Sequence, residues 1–419
     1  LSRRGADLAA ARRHAGSVFW LGLAETAARL SGVAIQILVA RALAPDLYGK
    51  FSSAYSLFLV LVPTASLGLR ESFIRDGAIE RERMPEVLSD YFSLRLVSAA
   101  ATLAATVVLA WLQRPELYIV LGIGVYMTVR SVTQFLATAF RALERFNREF
   151  TIRLGESVLL LAAVGGAWAA GAGLSAFVGI LTAAAALYLA GLMVAYRAVL
   201  PGFHLRVPRS VVRRVLKAVP LGLPSLSTFA LLRADVFLLE RVGGSARAAG
   251  EFAAAVNLIL GLSLGPWLVA TALYPALSRG HRELRSRRRL LAGLVAGFVV
   301  LGAALAAGCA LAAPLLLRAA YGSRYVGVAP LLRRLSPFLI ALSPGVFAAT
   351  VLAAREERRA IVLATVAPLG AGILAGAAVI PVYSGNGLAV SATIFQALLA
   401  LIGSFFVLRT KAAEEIPNI

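Results

Sequence analysis

Only one of the 419 residues is a cysteine, Cys309, so no disulfide can form within the chain and no cysteine cluster can hold a metal; its expected role is packing. Histidine is nearly as scarce, with His14, His204 and His281 all in segments that read as cytoplasmic. No Ser/His/Asp set, no carboxylate pair at an outer surface and no phosphate-cradling glycine loop is evident, so no enzyme active site and no cofactor are expected. Acidic residues number 21 against 42 lysines and arginines, and charged residues together make only 15% of the chain. No polar segment exceeds 21 residues, which leaves no soluble module to bind nucleic acid despite the formal net charge of +21. Period-two alternation is missing as well, which excludes an outer-membrane barrel.

What the chain does have is apolar length. At 59% hydrophobic residues and a mean hydropathy of +0.81 it is too apolar to hide its surface in a water-soluble core. Twelve runs of about 20 apolar residues recur near 16–40, 51–69, 90–112, 117–140, 154–171, 175–196, 218–240, 250–274, 290–317, 328–353, 360–381 and 388–408. The expected fold is an all-α polytopic membrane protein, because only helices satisfy their own backbone in lipid over such lengths.

The basic residues give this layout an orientation. With the N-terminus in the cytoplasm, 29 of the 42 fall in inward segments, seven (Arg41, Lys50, Arg114, Arg241, Arg247, Arg318 and Arg324) in outward loops, and six within or at the edges of spans. That asymmetry is a positive-inside signal with both termini cytoplasmic. Residues 1–15 read as a basic helix on the membrane surface rather than a signal peptide, since the apolar run that follows carries Glu25 and Arg29.

The halves repeat. "YGKFSSAYSL" (48–57) and "AGEFAAAVNL" (249–258) match at a constant offset of 201, with Gly49 on Gly250, Phe51 on Phe252, Ala54 on Ala255 and Leu57 on Leu258. Each copy opens the second span of a six-span half, so the halves share an orientation and are related by an axis along the membrane normal, with a cleft between them. The expected organisation is a cytoplasmic segment (1–15), a first six-helix bundle (16–200), a linker (201–217), a second bundle (218–408) and a cytoplasmic tail (409–419). Prolines 63, 220, 224, 266, 337, 344 and 368 fall in or beside spans, where they serve as kinks or simply reflect the composition of membrane helices.

Charges inside such spans cost about 2.5–3.5 kcal/mol each on insertion scales, so each one calls for a role. Arg130 lies 12 residues past Tyr118 and 11 before Arg141, near mid-depth, with Gln134 on its face and Thr128 and Ser131 beside it. Glu25 and Arg29, spaced i, i+4, straddle the middle of the first span and fit either an internal ion pair or separate roles. Arg233 and Asp235 are two residues apart, about 200° around a helix, and so cannot neutralise each other well. Arg333 and Arg334 lie in the outer half of the tenth span, where snorkelling competes with a cavity position. Arg95 and Glu156 are expected at the cytoplasmic interface. The remaining set, Arg29, Arg130, Arg233, Arg333 and Arg334 against Glu25 and Asp235, suits an anionic, phosphate-bearing cargo.

"ARALAPDLYGKF" (40–51), "FRALERFNREF" (140–150), "RADVFLLERVGGSARAAGEFAAAVNLI" (233–259) and "YGSRYVGVAPLL" (321–332) resemble segments of bacterial polysaccharide flippases, the O-antigen type, of the multidrug/oligosaccharidyl-lipid/polysaccharide (MOP) exporter superfamily. The resemblance covers nearly the whole chain. It implies a V-shaped pair of six-helix bundles that moves an undecaprenyl-diphosphate-type lipid-linked oligosaccharide across the cytoplasmic membrane by alternating access. It also implies cavity arginines that bind the diphosphate or acidic sugars, matched here by depth to Arg29, Arg130 and Arg233, and coupling to H+ or Na+ through Glu25 or Asp235. Membrane lipids are the expected surroundings and nucleic acid is not an expected partner. Lipid II flippases of the superfamily usually have fourteen spans, which disfavours a peptidoglycan precursor as cargo. Two other readings compete: a drug antiporter of the same fold, opposed by like charge in its interior, and a glycosyltransferase or polymerase, opposed by outer loops of about ten residues.

Overall fold

The apolar runs form helices, and their sequence neighbours decide where each one stops. The computed structural model describes residues 26–66, 68–113, 116–199, 209–216, 233, 235–279, 288–355 and 358–409. In chain order these give α1 (26–42), α2 (Pro45–Thr64), α3 (Leu69–Ile79), α4 (Met84–Leu112), α5 (Leu117–Ala142), α6 (Phe146–Ala169), α7 (Leu174–Val199), α8 (209–216) and α9 (235–241). The chain continues with α10 (Ala246–Leu262), α11 (Leu264–Arg279), α12 (Arg288–Leu311), α13 (Ala313–Tyr321), α14 (Ala329–Leu335), α15 (Phe338–Ala354) and α16 (Arg358–Leu408). No strand occurs among the described residues.

Proline at N1 or N2 starts α2, α4, α13 and α14, where a missing N–H costs nothing. Two stops show the same physics with different residues. After α6, Gly171 takes φ 66° while the Ala172 and Gly171 amides donate back to Ala167 and Trp168 carbonyls, closing a left-handed cap. After α5 the same cap forms with Glu144 at φ 57°, a conformation that disfavours a side chain, while the Arg145 amide donates to the Phe140 carbonyl at 2.7 Å.

Among the described residues seven helices are long and apolar enough to cross a membrane, and an eighth span is broken: Ser323–Leu335 and Phe338–Leu352 meet at 56°. Pro337 stands at that break, so the tenth run is a kinked span rather than a straight one. The seventh run, 218–240, falls largely outside the described residues. The eleventh and twelfth lie within the continuous helical assignment of α16, but the chain turns back inside it. A Cβ on Gly376 would lie 3.2 Å from the Leu388 side chain, whereas twelve residues of straight helix separate two positions by about 18 Å.

The buried apolar side chains form three cores, and their membership fixes the shape. One core draws on both halves of the chain, joining α1, α2, α5, α6 and α7 to α9, α10, α13 and α14. A second holds only residues between Leu69 and Val215, and a third only residues between Ala270 and Val407. The halves are therefore packed together at one end and separately cored at the other, which makes a V. Its open end carries the basic segments around 70–89, 141–153 and 209–216.

At the joined end α2 lies along α10, and their contact is reciprocal. A Cβ on Gly49 would fall 1.7 Å from the Ala246 carbonyl oxygen, and one on Gly250 would fall 2.1 Å from that of Pro45. Ala246 and Gly250 are the counterparts of Pro45 and Gly49 at the same offset of 201, so each helix meets the other's equivalent position, as a two-fold axis requires. Small residues, Gly49 and Ser53 on α2 and Ala246, Gly250 and Ala253 on α10, allow the close approach.

At the open end α8 docks on the first bundle through Val211 and Val215 and through Asp76. The buried Asp76 carboxylate accepts from the Tyr91 hydroxyl at 2.6 Å, from Arg214 Nη1 at 2.7 Å and from Arg75 Nε at 2.9 Å. Asp76→Ala strands these donors and is expected to cost about 2 kcal/mol, the Arg214 contribution being discounted because that side chain is 40% exposed. Thermal unfolding in detergent reads the loss, and protease cleavage around residues 201–217 should accelerate roughly tenfold.

Candidate functional site

Arginine in lipid persists only where protein or water receives it, so the neighbours of each buried guanidinium show what it is for. Arg233 sits inside the joined end of the V, 6% exposed. Its Nη2 donates to Asn257 Oδ1 at 2.7 Å, Asn257 Nδ2 donates to the Tyr48 hydroxyl at 2.6 Å, and that hydroxyl donates to Gln36 Oε1 at 3.1 Å. The chain of bonds crosses from the second half (Arg233, Asn257) to the first (Tyr48, Gln36), polarised throughout by the cation at its end. Among the described residues the buried Nε and Nη1 groups of Arg233 have no hydrogen-bond partner. Tyr325 packs edge-on against Tyr48, with ring centroids 6.3 Å apart, and closes the site from the short 3-10 helix Ser323–Val328 before α14.

Tyr48, Phe51 and Tyr55 stack along α2 and lead from this network toward Arg130, whose charge reaches Tyr55 and Tyr126. Arg130 lies on α5 between Met127 of the shared core and Val132 of the inner core, hence at the level where the cleft begins. Its Nε is 3.4 Å from Glu156 Oε1 on α6, an ion pair by distance in which neither atom makes a hydrogen bond. Arg95 on α4 donates to Ser98 Oγ at 3.1 Å and to Ser131 Oγ, one residue from Arg130.

Arg29 on α1 stacks its guanidinium over the Trp267 ring of α11, 4.3 Å from the centroid, a cation–π contact that also joins the two halves. Ala270, three residues beyond Trp267, belongs to the core confined to the second half, so this contact too lies near the top of the cleft. Asp235 is 2% exposed, and a Cβ on Gly376 would stand 3.1 Å from its Oδ1. Among the described residues no cation lies within ion-pair distance of Asp235. At the rim of the joined end Glu116 pairs with Arg241 at 3.0 Å and with Lys50 at 3.6 Å, a charged clasp between the halves.

The structure thus separates the residues expected to act together. Arg29 and Arg130 lie near the head of the cleft and Arg233 behind it in the closed end. Arg333 and Arg334 are exposed, with Arg333 Nε donating to the Ala310 carbonyl at 3.2 Å, and they join neither network. Both stand on the exposed side of α14. Glu25 lies outside the described residues. Arg95 and Glu156, expected at the cytoplasmic interface, are buried in protein, 2% and 4% exposed. Their helices begin earlier than the apolar runs, at Met84 and Phe146, so each residue lies about 15 Å along its helix. Asn257 was missed although it is the lone polar residue in "FAAAVNLILGL" (252–262), a signal that was present to read.

The family model described as polysaccharide biosynthesis protein matches residues 15–281. An inward-facing multidrug resistance transporter of the MATE family of the MOP superfamily superposes with a TM-score of 0.71 at 16% identity, covering 92% of this chain and 96% of that one. The lipid II flippase MurJ, in an inward closed conformation, gives 0.67 at 14% identity over 92% and 87% of the two chains. An outward-facing MATE family transporter gives 0.60 at 16% identity over 93% of each. No curated protein matches the chain by sequence.

Proposed function

Since the chain belongs to the polysaccharide biosynthesis protein family and folds as a multi-pass transporter of the MOP superfamily, we propose that it is a flippase for lipid-diphosphate-linked oligosaccharides. In this reading it sits in the cytoplasmic membrane with both termini inside, so the open end of the V faces the cytoplasm and the α2–α10 contact closes the outside. The observation that carries the proposal is the buried cation set. Arg130 Nε faces Glu156 Oε1 at 3.4 Å without a hydrogen bond, and among the described residues Arg233 keeps two N–H groups unpaired. Phosphate oxygens are the natural complement of such groups.

Arg29 and Arg130 receive the diphosphate from the cytoplasm. Arg233 engages only after α2 and α10 part, because the closed contact seals it from the cleft. Arg333 and Arg334, exposed in the outer half of their span, meet lipid phosphates at the outer surface rather than the cargo. Asp235 and Glu25 serve as ion-coupling carboxylates for H+ or Na+, Asp235 being buried with no cation in reach among the described residues. A cation antiporter would have to move positive cargo past Arg29 and Arg130, which repel it in low dielectric.

Flipping of a fluorescent undecaprenyl-diphosphate oligosaccharide in proteoliposomes tests the proposal. Arg130→Ala and Arg233→Ala should each lower transport by about ten- to a hundredfold, the worth of one charged hydrogen bond to the anion. Binding from the cytoplasmic side should fall only in Arg130→Ala. Undiminished flipping in both variants would remove the arginines from the path, and a wild type that moves organic cations but no lipid-linked sugar would establish the antiporter.

A further inference from the structure

We infer that Glu156 is a displaceable counter-ion of Arg130, and that its release by an anionic cargo takes up one proton at the head of the cleft. The inference deepens the flippase reading and rests on it. Two buried ion pairs between α5 and α6 show the contrast that supports it. At the end of the helix pair, Glu149 accepts two bonds from Arg141 at 2.9 and 2.6 Å and lies 3.0 Å from Arg153, a fully formed clamp. Further in, Arg130 and Glu156 stand 3.4 Å apart with side chains 12% and 5% exposed, and neither Arg130 Nε nor Glu156 Oε1 is hydrogen-bonded. Desolvation has been imposed on both groups without the bonds that offset it, so the pair is held loosely enough for a competing anion to take its cation.

A phosphate oxygen offers Arg130 the charge-assisted bond that its Nε does not make to Glu156 Oε1. Glu156 is then left buried with few other groups to support its charge. Arg153, one turn away on its own helix, is already committed to Glu149. From α7, the Tyr188 hydroxyl donates to the Ile152 carbonyl; from α5, Tyr126 is buried; from α1, Ser31 donates to Ser157 Oγ at 2.8 Å. An isolated buried carboxylate takes a proton rather than keep its charge. The proton enters from the cytoplasm, resides on Glu156 while the diphosphate occupies Arg130, and leaves when the cargo departs and the ion pair re-forms. One negative charge is thereby balanced at the site during transit. The exchange compensates charge and is separate from the ion coupling assigned to Asp235 and Glu25.

The sign follows from linkage: if binding takes up a proton, affinity rises as pH falls, by at most about tenfold per pH unit for one proton. Undecaprenyl diphosphate is titrated into the purified full-length protein in detergent, between about pH 6 and about pH 8, in buffers of different ionisation enthalpy, so that calorimetry counts protons. The wild type should take up close to one proton more per bound lipid than Glu156→Gln, since the probe's own diphosphate titrates alike in both. Glu156→Gln, isosteric and freed of the competitor, should bind several-fold more tightly with a flatter pH dependence, and Glu156→Asp should restore the uptake. Equal proton counts in the wild type and Glu156→Gln, with binding intact, overturn this inference alone. A wild type that does not bind undecaprenyl diphosphate overturns it together with the flippase reading.

Discussion

Gly49→Ala is expected to hold the joined end of the protein open. The added methyl would meet the Ala246 carbonyl oxygen at 1.7 Å, and backbone cannot step aside as a flexible side chain can. Gly250→Ala should do the same through the Pro45 carbonyl at 2.1 Å, because the two positions are equivalents about one axis. Overpacking of this kind costs about 1–3 kcal/mol, and the bundles can escape it by separating, so the closed population should fall by about five- to about 150-fold. Both glycines avoid the positive-φ region, so the effect is steric and the helices themselves should persist. The measurement uses Ser53→Cys, a position 1% exposed within the contact, in a chain whose natural cysteine, itself buried, is replaced by alanine. A membrane-impermeant maleimide should label Cys-substituted Ser53 from outside at least tenfold faster in Gly49→Ala than in the parent, with flipping reduced to a similar degree. Unchanged labelling in both glycine variants would mean that closure does not depend on the backbone contact.

That contact was partly legible beforehand. The repeat at offset 201 placed Gly49 and Gly250 at matching positions, and composition and run length gave the helical membrane fold. Neither revealed that the two copies touch each other rather than lying apart, since a repeat fixes symmetry and leaves the distance from the axis open. Counting residues from a loop likewise gave depth without direction. It left open which way each residue faces, and the faces of Arg333 and Arg334 depended on a bend at Pro337 whose angle the sequence does not encode. The burial of Glu156 was hidden for a different reason. The stretch 146–153 is rich in charge, yet Glu149, Arg153 and Arg141 pair with one another and allow α6 to begin at Phe146. A charged segment that neutralises itself reads as loop in a hydropathy profile and folds as helix.

Glu149→Gln should therefore be among the most damaging substitutions in the first bundle. Glu149 is fully buried in the first turn of α6, and Arg141 occupies the last turn of α5, so each charge also complements the dipole of its own helix. Loss of the carboxylate leaves the Arg141 and Arg153 guanidiniums close together with their shared anion gone, and stranding buried charge in this way costs about 3–5 kcal/mol. Glu149→Asp keeps the charge on a shorter arm and should fall between the two. Thermal unfolding in detergent gives the ranking, and Arg141→Leu on the Glu149→Gln background should recover part of the loss, because it removes one of the two repelling cations. Unfolding of Glu149→Gln at the wild-type temperature would show that the clamp contributes nothing. The consequence extends inward along the hairpin. The α5–α6 register that brings Arg130 opposite Glu156 is fixed at this end by the clamp and by the left-handed cap at Glu144. Weakening the clamp should therefore also reduce the extra proton taken up on undecaprenyl diphosphate binding, with both Arg130 and Glu156 still present in the chain.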